Sequence, residues 1–122
     1  MAHSTQMGLR ERAKRLKTSV DDLHDARLQD RFADLDLTPL DQLPCRVPVR
    51  VGGEVKRTVL VPRSGVPALE VVVSDGTGVA TAVFTGRRMI PGIELGRAMI
   101  LEGVAHEDRG RRVLLNPAYT LV

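Results

Sequence analysis

The sequence of 122 residues predicts a mainly β protein, a small five-stranded barrel preceded by an N-terminal helical segment. Beyond about Pro44, apolar and polar residues alternate in short runs, which is the pattern of strands. The apolar residues are nearly all aliphatic, with two Phe, one Tyr and no Trp, and branched aliphatics favour strands. Before that point, apolar residues recur at helical spacing. We therefore divide the chain into a basic N-terminal arm (1–17), an amphipathic helical leader with its connector (18–43) and a barrel (44–122).

The two N-terminal segments carry opposite charge. Residues 1–17 contain five basic residues and one acidic residue, whereas residues 18–43 contain seven Asp and two Arg. Thr18 or Ser19, followed by Asp21 and Asp22, is predicted to begin a helix, because side-chain oxygens cap free amides and acids suit the positive end of the helix dipole. Prolines at the end of the leader then exclude a continuous helix and predict a connector.

The remaining sequence is read as five strands. The first is long, and its Gly52-Gly53 pair predicts a bend or bulge where it passes from one side of a barrel to the other. The second and third flank the turn Ser-Asp-Gly-Thr-Gly and form a hairpin. The predicted strands are Arg46–Val61, Leu69–Ser74, Val79–Thr85, Arg97–Ala105 and Arg111–Val122, with a connector at Gly86–Gly96. Five strands with a long, bent first strand are the plan of the OB-fold.

Several motifs occur in the order found in a known family. They are Asp75–Gly78 in the hairpin turn, Phe84 near the end of the third strand, Gly92 and Gly96 before the fourth, Gly103 within it, and Asn116-Pro117 in the fifth. This order resembles the OB-type nucleic-acid-binding domains that include the wedge domain of RecG-type branched-DNA helicases. The resemblance covers about residues 44–122, and it implies binding to nucleic acid.

The candidate binding residues follow from where OB-folds hold ligands, across strands 2 and 3 and between the loops joining strands 1 to 2 and 4 to 5. Guanidinium groups suit this role because they bind phosphate oxygens in pairs. A solvated arginine paired with a nearby acid such as Glu54, Glu107 or Asp108 is the alternative for each position. The predicted nucleic-acid-binding residues are Arg50, Lys56 and Arg57 on the first strand, Arg63 in the first of these loops, Thr81 on the third strand, Arg87 and Arg88 in the connector, and Arg109, Arg111 and Arg112 in the second loop; Thr77 is a further hydrogen-bonding candidate.

The scarcity of aromatic residues shapes the expected mode of binding. OB-folds that grip single strands usually stack bases on aromatic side chains, and this chain has three aromatics. Binding is therefore expected to depend on phosphate pairing and guanidinium stacking, and to be weak, sequence-tolerant and salt-dependent. Single-stranded DNA and RNA both remain open as ligands, as do single strands and junctions.

Other classes of function find little support in the sequence. Three scattered histidines and one cysteine provide no catalytic or metal-ligand pattern, so we expect no enzyme activity, metal or cofactor. No apolar run approaches the ~20 residues of a membrane span, and a cytoplasmic location is expected. A nucleic-acid-binding protein of this kind acts alone or as an accessory to a DNA- or RNA-processing protein. The alternative function is a protein-interaction or oligomerisation module, in which the barrel forms a homo-oligomer or docks on a partner and the leader packs across the barrel or onto a neighbour.

Overall fold

The computed structural model describes residues 8–122, and their side chains from residue 20 onward. A single helix, α1, spans Gly8–Phe32, and a short 3-10 helix spans Leu40–Gln42. The strands are β1 (Pro48–Arg63), β2 (Val66–Ser74), β3 (Val79–Thr85), β4 (Ala98–Asp108), β5 (Arg111–Leu115) and β6 (Ala118–Leu121). The first seven residues of the predicted basic arm lie outside the described residues.

Helix α1 is longer than the sequence pattern indicated. The expected helix start at Thr18 or Ser19 is wrong, because the helix runs through both positions without a break. No Gly or Pro occurs between Leu9 and Phe32, so nothing interrupts the backbone hydrogen bonds. A capping side chain marks a helix start only where the preceding residues leave the helix.

The strands close into one ring. β1 pairs antiparallel with β4 through Pro48–Glu54 and with β2 through Glu54–Arg63. β2 pairs with β3, β3 pairs in parallel with β5, and β5 pairs with β4. The order β1-β2-β3-β5-β4 thus returns to β1. This closed ring of five strands is an OB-fold, and the predicted fold class is confirmed.

The long first strand bends as predicted, although the bulge is not at the glycine pair. The register between β1 and β2 shifts at Lys56, which is the extra residue of a bulge. A Cβ atom on Gly52 would overlap Leu37 and crowd Phe32 of α1, and one on Gly53 would overlap Val73 of β2. The two glycines therefore allow close approach of neighbouring elements to β1.

The expected single fifth strand is in fact two strands. Asn116-Pro117 separates β5 from β6 because Pro has no amide hydrogen for a ladder and Asn116 adopts a left-handed backbone with φ 48°. The Asn116 amide donates to the Val83 carbonyl, and its side-chain Oδ1 accepts a bond of 2.9 Å from the Thr85 amide. β6 then pairs with β4 and lengthens the sheet.

The core inside the barrel is built almost entirely from aliphatic side chains. Val51, Val71 and Leu101 are fully buried there, while Leu40 of the 3-10 helix and Ile90 of the β3–β4 connector add side chains from outside the strands. Burying one such side chain contributes about 1.5–3 kcal/mol. The aliphatic residues that dominate the sequence thus form the core of the barrel.

The Ser-Asp-Gly-Thr-Gly turn between β2 and β3 is a docking point for the N-terminal segment. The Asp75 carboxylate accepts bonds from the amides of Leu40 (3.0 Å), Thr77 (2.9 Å) and Gly78 (3.2 Å) and from the Thr77 hydroxyl (2.6 Å). Gln29 of α1 donates to the Gly76 carbonyl at 3.1 Å. The motif therefore has a structural role, which is to hold the helical segments against the barrel.

Charged side chains reinforce this contact. Glu54 of β1 is buried and pairs with Arg31 of α1 at 2.5 Å and with Lys56 at 3.3 Å. The Lys56 ammonium also lies 2.6 Å from His24 Nε2. We call the region formed by residues 24–32 of α1, the 3-10 helix, Glu54, Lys56 and the Ser74–Gly78 turn the capped region.

Candidate nucleic-acid interface

A groove crosses the outer face of β1, β2, β3 and β5. In β3, Ala80 and Ala82 point into the barrel core, while Thr81 between them lines a cavity of about 290 Å³ on the opposite face. A second cavity of about 450 Å³ lies between the β1–β2 and β4–β5 turns. Glu70 and Arg111 line both cavities, so the two cavities adjoin at this pair, and we call them together the groove. This groove occupies the position where OB-folds bind ligands.

Two tight hairpin turns bound one end of the groove. The β1–β2 turn is Ser64-Gly65 and the β4–β5 turn is Arg109-Gly110, each of two residues. All four have positive φ, with 52° at Ser64 and 53° at Arg109, as in type I′ hairpin turns. Such turns follow the twist of their strands, and they hold Arg63 and Arg109 beside the same cavity.

The cations of the groove differ in whether an acid already neutralises them. Arg111 pairs with Glu70 at 2.9 Å and with Asp108 at 3.5 Å. The hydrogen bond to Glu70 is the largest cause that raises the pKa of the Arg111 guanidinium, and Asp108 adds to it. Arg112 pairs with Glu107.

Three groove arginines make no such pair. Among the side chains that the structure describes, no carboxylate lies within ion-pair distance of Arg57, Arg63 or Arg109. Arg57 lines the cavity over the strands, and the other two line the cavity between the turns. Each of the two cavities therefore has at least one arginine whose charge is free to meet a ligand.

The groove brings together six of the ten predicted site residues. These are Arg57, Arg63, Thr81, Arg109, Arg111 and Arg112. Arg111 and Arg112 lie on β5, just beyond the turn where the sequence placed them. Thr77 lies in the β2–β3 turn instead, where its hydroxyl accepts a bond from the Asp41 amide at 3.2 Å.

The other four predicted residues lie elsewhere. Arg50, on the half of β1 that pairs with β4, contacts Glu102 and the Asp36 carbonyl, both at 3.0 Å. Lys56 belongs to the capped region. Arg88 lines a separate, mainly apolar cavity with Leu60 and Val66, and Arg87 is exposed beside it in the β3–β4 connector.

Sequence reasoning missed Glu70. Its side chain is 14 % exposed and lies at the junction of the two cavities. The available signal was a single acid at a polar position of the alternating strand Leu69–Ser74, directed away from the core. A single acid on a strand does not by itself indicate a phosphate-binding groove, which is expected to be lined by cations.

No aromatic residue lines either groove cavity. Phe84 is buried in the core and makes an edge-on contact with Tyr119 of β6, with ring centroids 5.6 Å apart. Phe32 belongs to the capped region and is buried there. The expected shortage of stacking platforms therefore applies to the groove itself.

No group of three His, Cys, Asp or Glu side chains among the described residues could hold a metal ion. Within residues 8–122, no helix has the length and apolar character that a bilayer crossing requires.

Comparison with known proteins supports the fold. No family model matches the chain, and no curated protein matches it either. The structure is similar to a chain in the crystal structure of the S. pombe Stn1-Ten1 complex, with a TM-score of 0.50 and 15 % sequence identity. The match covers 67 % of this chain and 62 % of that chain. At this identity the likeness bears on the fold alone, and the resemblance to the wedge domain of RecG-type helicases stays a prediction.

Proposed function

We propose that this protein is a non-enzymatic OB-fold protein that binds single-stranded nucleic acid, DNA or RNA, in the groove between the β1–β2 and β4–β5 turns. The observation that carries the proposal is that Arg57, Arg63 and Arg109, which have no carboxylate partner among the described side chains, line the two cavities of the groove at the ligand position of the fold. A guanidinium group can bind two oxygens of one phosphate at once, and an arginine without an acidic partner does so without first breaking an ion pair.

The groove chemistry sets the strength and character of this binding. Phosphate contacts release counterions, so the logarithm of the binding constant falls linearly with the logarithm of salt concentration, with a slope of about −0.7 for each contact to a single strand. Three arginines thus predict a slope of about −2. Without stacking platforms, which contribute ~1–3 kcal/mol per base, binding at physiological salt is weak.

The first experiment is fluorescence anisotropy of labelled single-stranded DNA, single-stranded RNA, duplex DNA and a branched junction at several salt concentrations. The junction is included because of the resemblance to the wedge domain. We expect the single strands to bind with a slope near −2. Substitution of Arg57, Arg63 and Arg109 together by alanine is expected to weaken binding by roughly 500-fold at about 50 mM salt, the electrostatic share of three contacts.

A matched control removes the same charge outside the groove. Arg27, Arg50 and Arg97 lie on α1, on the β4-facing half of β1 and before β4, and none of them lines either groove cavity. Their triple alanine variant is expected to keep most of the affinity. Folded protein that binds no nucleic acid at low salt would contradict the proposal, and equal losses in the two variants would contradict the groove as the site.

A second candidate function is a protein-interaction module. Val20 and Leu23 of α1 are 62 % and 70 % exposed, and at a spacing of three residues they lie on the same side of the helix. The similar solved structure is also that of a complex of two proteins. Analytical ultracentrifugation of the wild type and a Val20→Ser, Leu23→Ser variant tests self-association. A mass above the monomer that falls in the variant supports this candidate, and a monomer at all concentrations removes the homo-oligomer.

A further inference from the structure

An acid lies in the middle of the basic groove. Glu70 projects from β2 between Val59 of β1 and Val83 of β3, its partners in the strand ladders. It is the residue, with Arg111, at which the two groove cavities meet. In a groove that served only to hold phosphates, a neutral residue at this position would give a higher affinity than Glu70, because a carboxylate repels phosphate. Phosphate binding alone therefore does not explain Glu70.

The acid decides where the phosphates of a bound strand can run. Glu70 and Asp108 neutralise Arg111, and a phosphate placed between them would meet two carboxylates. The unpaired cations lie to either side of this point, with Arg57 on one side and Arg63 and Arg109 on the other. The sugar-phosphate chain therefore follows the flanking arginines, and the centre of the groove is left for a base.

The hydrogen-bonding capacity at the centre is partly unused. Glu70 Oε1 accepts from Arg111, while Oε2 has no hydrogen-bond partner among the described residues. In that part of the chain no buried side-chain oxygen lacks a partner, so Oε2 must be open to the groove. Thr81 also lines the cavity, although it is only 4 % exposed. A carboxylate oxygen is therefore available as an acceptor for a base.

Only one base edge offers a carboxylate two neighbouring donors. Guanine presents N1–H and the N2 amino group side by side, with the O6 acceptor next to them. Adenine and cytosine offer one amino group each, and thymine and uracil offer one N–H between two carbonyl oxygens that repel a carboxylate. An ionised carboxylate is acceptor-only and takes two parallel donors, whereas a guanidinium provides donors only.

We propose that Glu70 and Arg111 form a base-reading pair that gives the groove a preference for guanine in a single strand. Glu70 accepts from guanine N1–H and N2–H, and Arg111 donates to O6 while it remains bonded to Glu70. The proposal rests on the proposed function, because it assigns specificity within the same groove. It adds a sequence preference to contacts that are otherwise made to the backbone.

The test compares oligonucleotides of about 12 nucleotides, a length within the range that one OB-fold covers. Thymidine alternates with guanosine, with inosine, which lacks the N2 amino group, or with cytidine. We expect the wild-type protein to bind the guanosine oligonucleotide on the order of fivefold to tenfold more tightly than the inosine one, as for loss of part of a bidentate base contact. This comparison needs no variant, so it does not depend on whether a substitution is tolerated.

Two variants then locate the preference. In Glu70→Gln the guanosine-to-inosine ratio is expected to fall to within about twofold, while the affinity for the inosine and cytidine oligonucleotides rises because a negative charge has left the groove. Glu102→Gln is the matched control, since Glu102 also pairs with an arginine but lies on β4 outside the groove. It is expected to keep the wild-type ratio.

The outcomes separate this inference from the function on which it rests. Equal wild-type affinity for the guanosine and inosine oligonucleotides, or a preference that survives in Glu70→Gln, overturns the base-reading pair and leaves groove binding intact. Absence of binding to all three oligonucleotides at low salt contradicts the proposed function itself, and the inference with it.

Discussion

The groove and the capped region are built on the same sheet, but they differ in whether their basic side chains are paired with acids. In the capped region Arg31 and Lys56 both pair with the buried Glu54. In the groove, Arg57 and Arg63 have no carboxylate partner among the described side chains. The number of basic residues in a sequence therefore says little about binding to nucleic acid. What matters is which cations the fold leaves without an internal partner.

The acids of the two regions show the same contrast. Asp75 receives four hydrogen bonds from its own chain and is nearly fully enclosed. Glu70 receives one from Arg111 and keeps its second oxygen open to the groove. An acid saturated by backbone amides stabilises the fold, whereas an acid with an open oxygen remains available to a ligand.

The largest expected effect comes from removing Asp75. Asp75→Ala leaves the amides of Leu40, Thr77 and Gly78 without their acceptor, and is expected to lower the free energy of unfolding by about 3 kcal/mol. Urea denaturation monitored by circular dichroism measures it. Asp41→Ala is the control, because the structure shows only the backbone amide of Asp41 in a hydrogen bond, and its expected cost is within about 0.5 kcal/mol. Equal costs would show that the turn does not hold the N-terminal segment.

A smaller loss of stability is expected when a glycine of the same turn is changed to alanine. Gly76 has φ 87°, and a Cβ there would overlap the Asp25 carbonyl of α1. Gly65 in the β1–β2 turn has φ 78° but faces open space. Gly65→Ala measures the cost of positive φ alone, about 1 kcal/mol.

Gly76→Ala adds displacement of the helix to that cost, so its total is expected to reach about 2 kcal/mol. Thermal unfolding gives the totals, and hydrogen exchange of the amides of residues 25–29 reports the helix directly. Faster exchange in Gly76→Ala than in Gly65→Ala is expected. The same exchange rates in both variants would mean that the helix contact at the turn contributes nothing.

The smallest effect concerns pH and the buried acid of the capped region. Burial acts to raise the pKa of Glu54, but the hydrogen bonds and positive charges of Lys56 and Arg31 together outweigh it, so this pKa lies below its usual value. A lowered pKa contributes stability above the unfolded pKa of about 4.3, and this stability is lost as pH falls through the folded value.

Glu54→Gln should therefore flatten the acid limb of the stability curve. Because Arg31 is 43 % exposed, the expected difference between about pH 6 and about pH 2 is less than about 1 kcal/mol. Urea midpoints across that range, with Glu102→Gln as an exposed control, measure it. A Glu54→Gln limb as steep as that of the wild type would remove Glu54 from the acid response.

Most of the fold was accessible from the sequence, because alternation in the strands and the long, glycine-containing first strand are local signals. The course of α1 was missed since Thr18 and Ser19 resemble a cap in any context. The split at Asn116 was missed because a left-handed asparagine is decided by its bonds to Val83 and Thr85, which lie far away in the sequence.

The candidate site was only partly accessible for a related reason. Position along the strands indicated Arg57 and the turn arginines, but the partners of Arg50 and Lys56 depend on which strand and helix lie next to β1. Ion pairing is a tertiary property, and an alternating pattern carries no information on it. The position of Glu70 in the groove depends on the packing of the two cavities that it lines, which the sequence does not reveal.

The most direct test of the central claim is a titration of the amide chemical shifts of the ¹⁵N-labelled protein with a single-stranded oligonucleotide at low salt. The account predicts that the largest shifts cluster at Arg57, Glu70, Thr81 and Arg111, while amides of the capped region such as Gln29, Leu40 and Gly76 stay close to their free positions. Largest shifts at the capped region, with the groove amides unmoved, would contradict it.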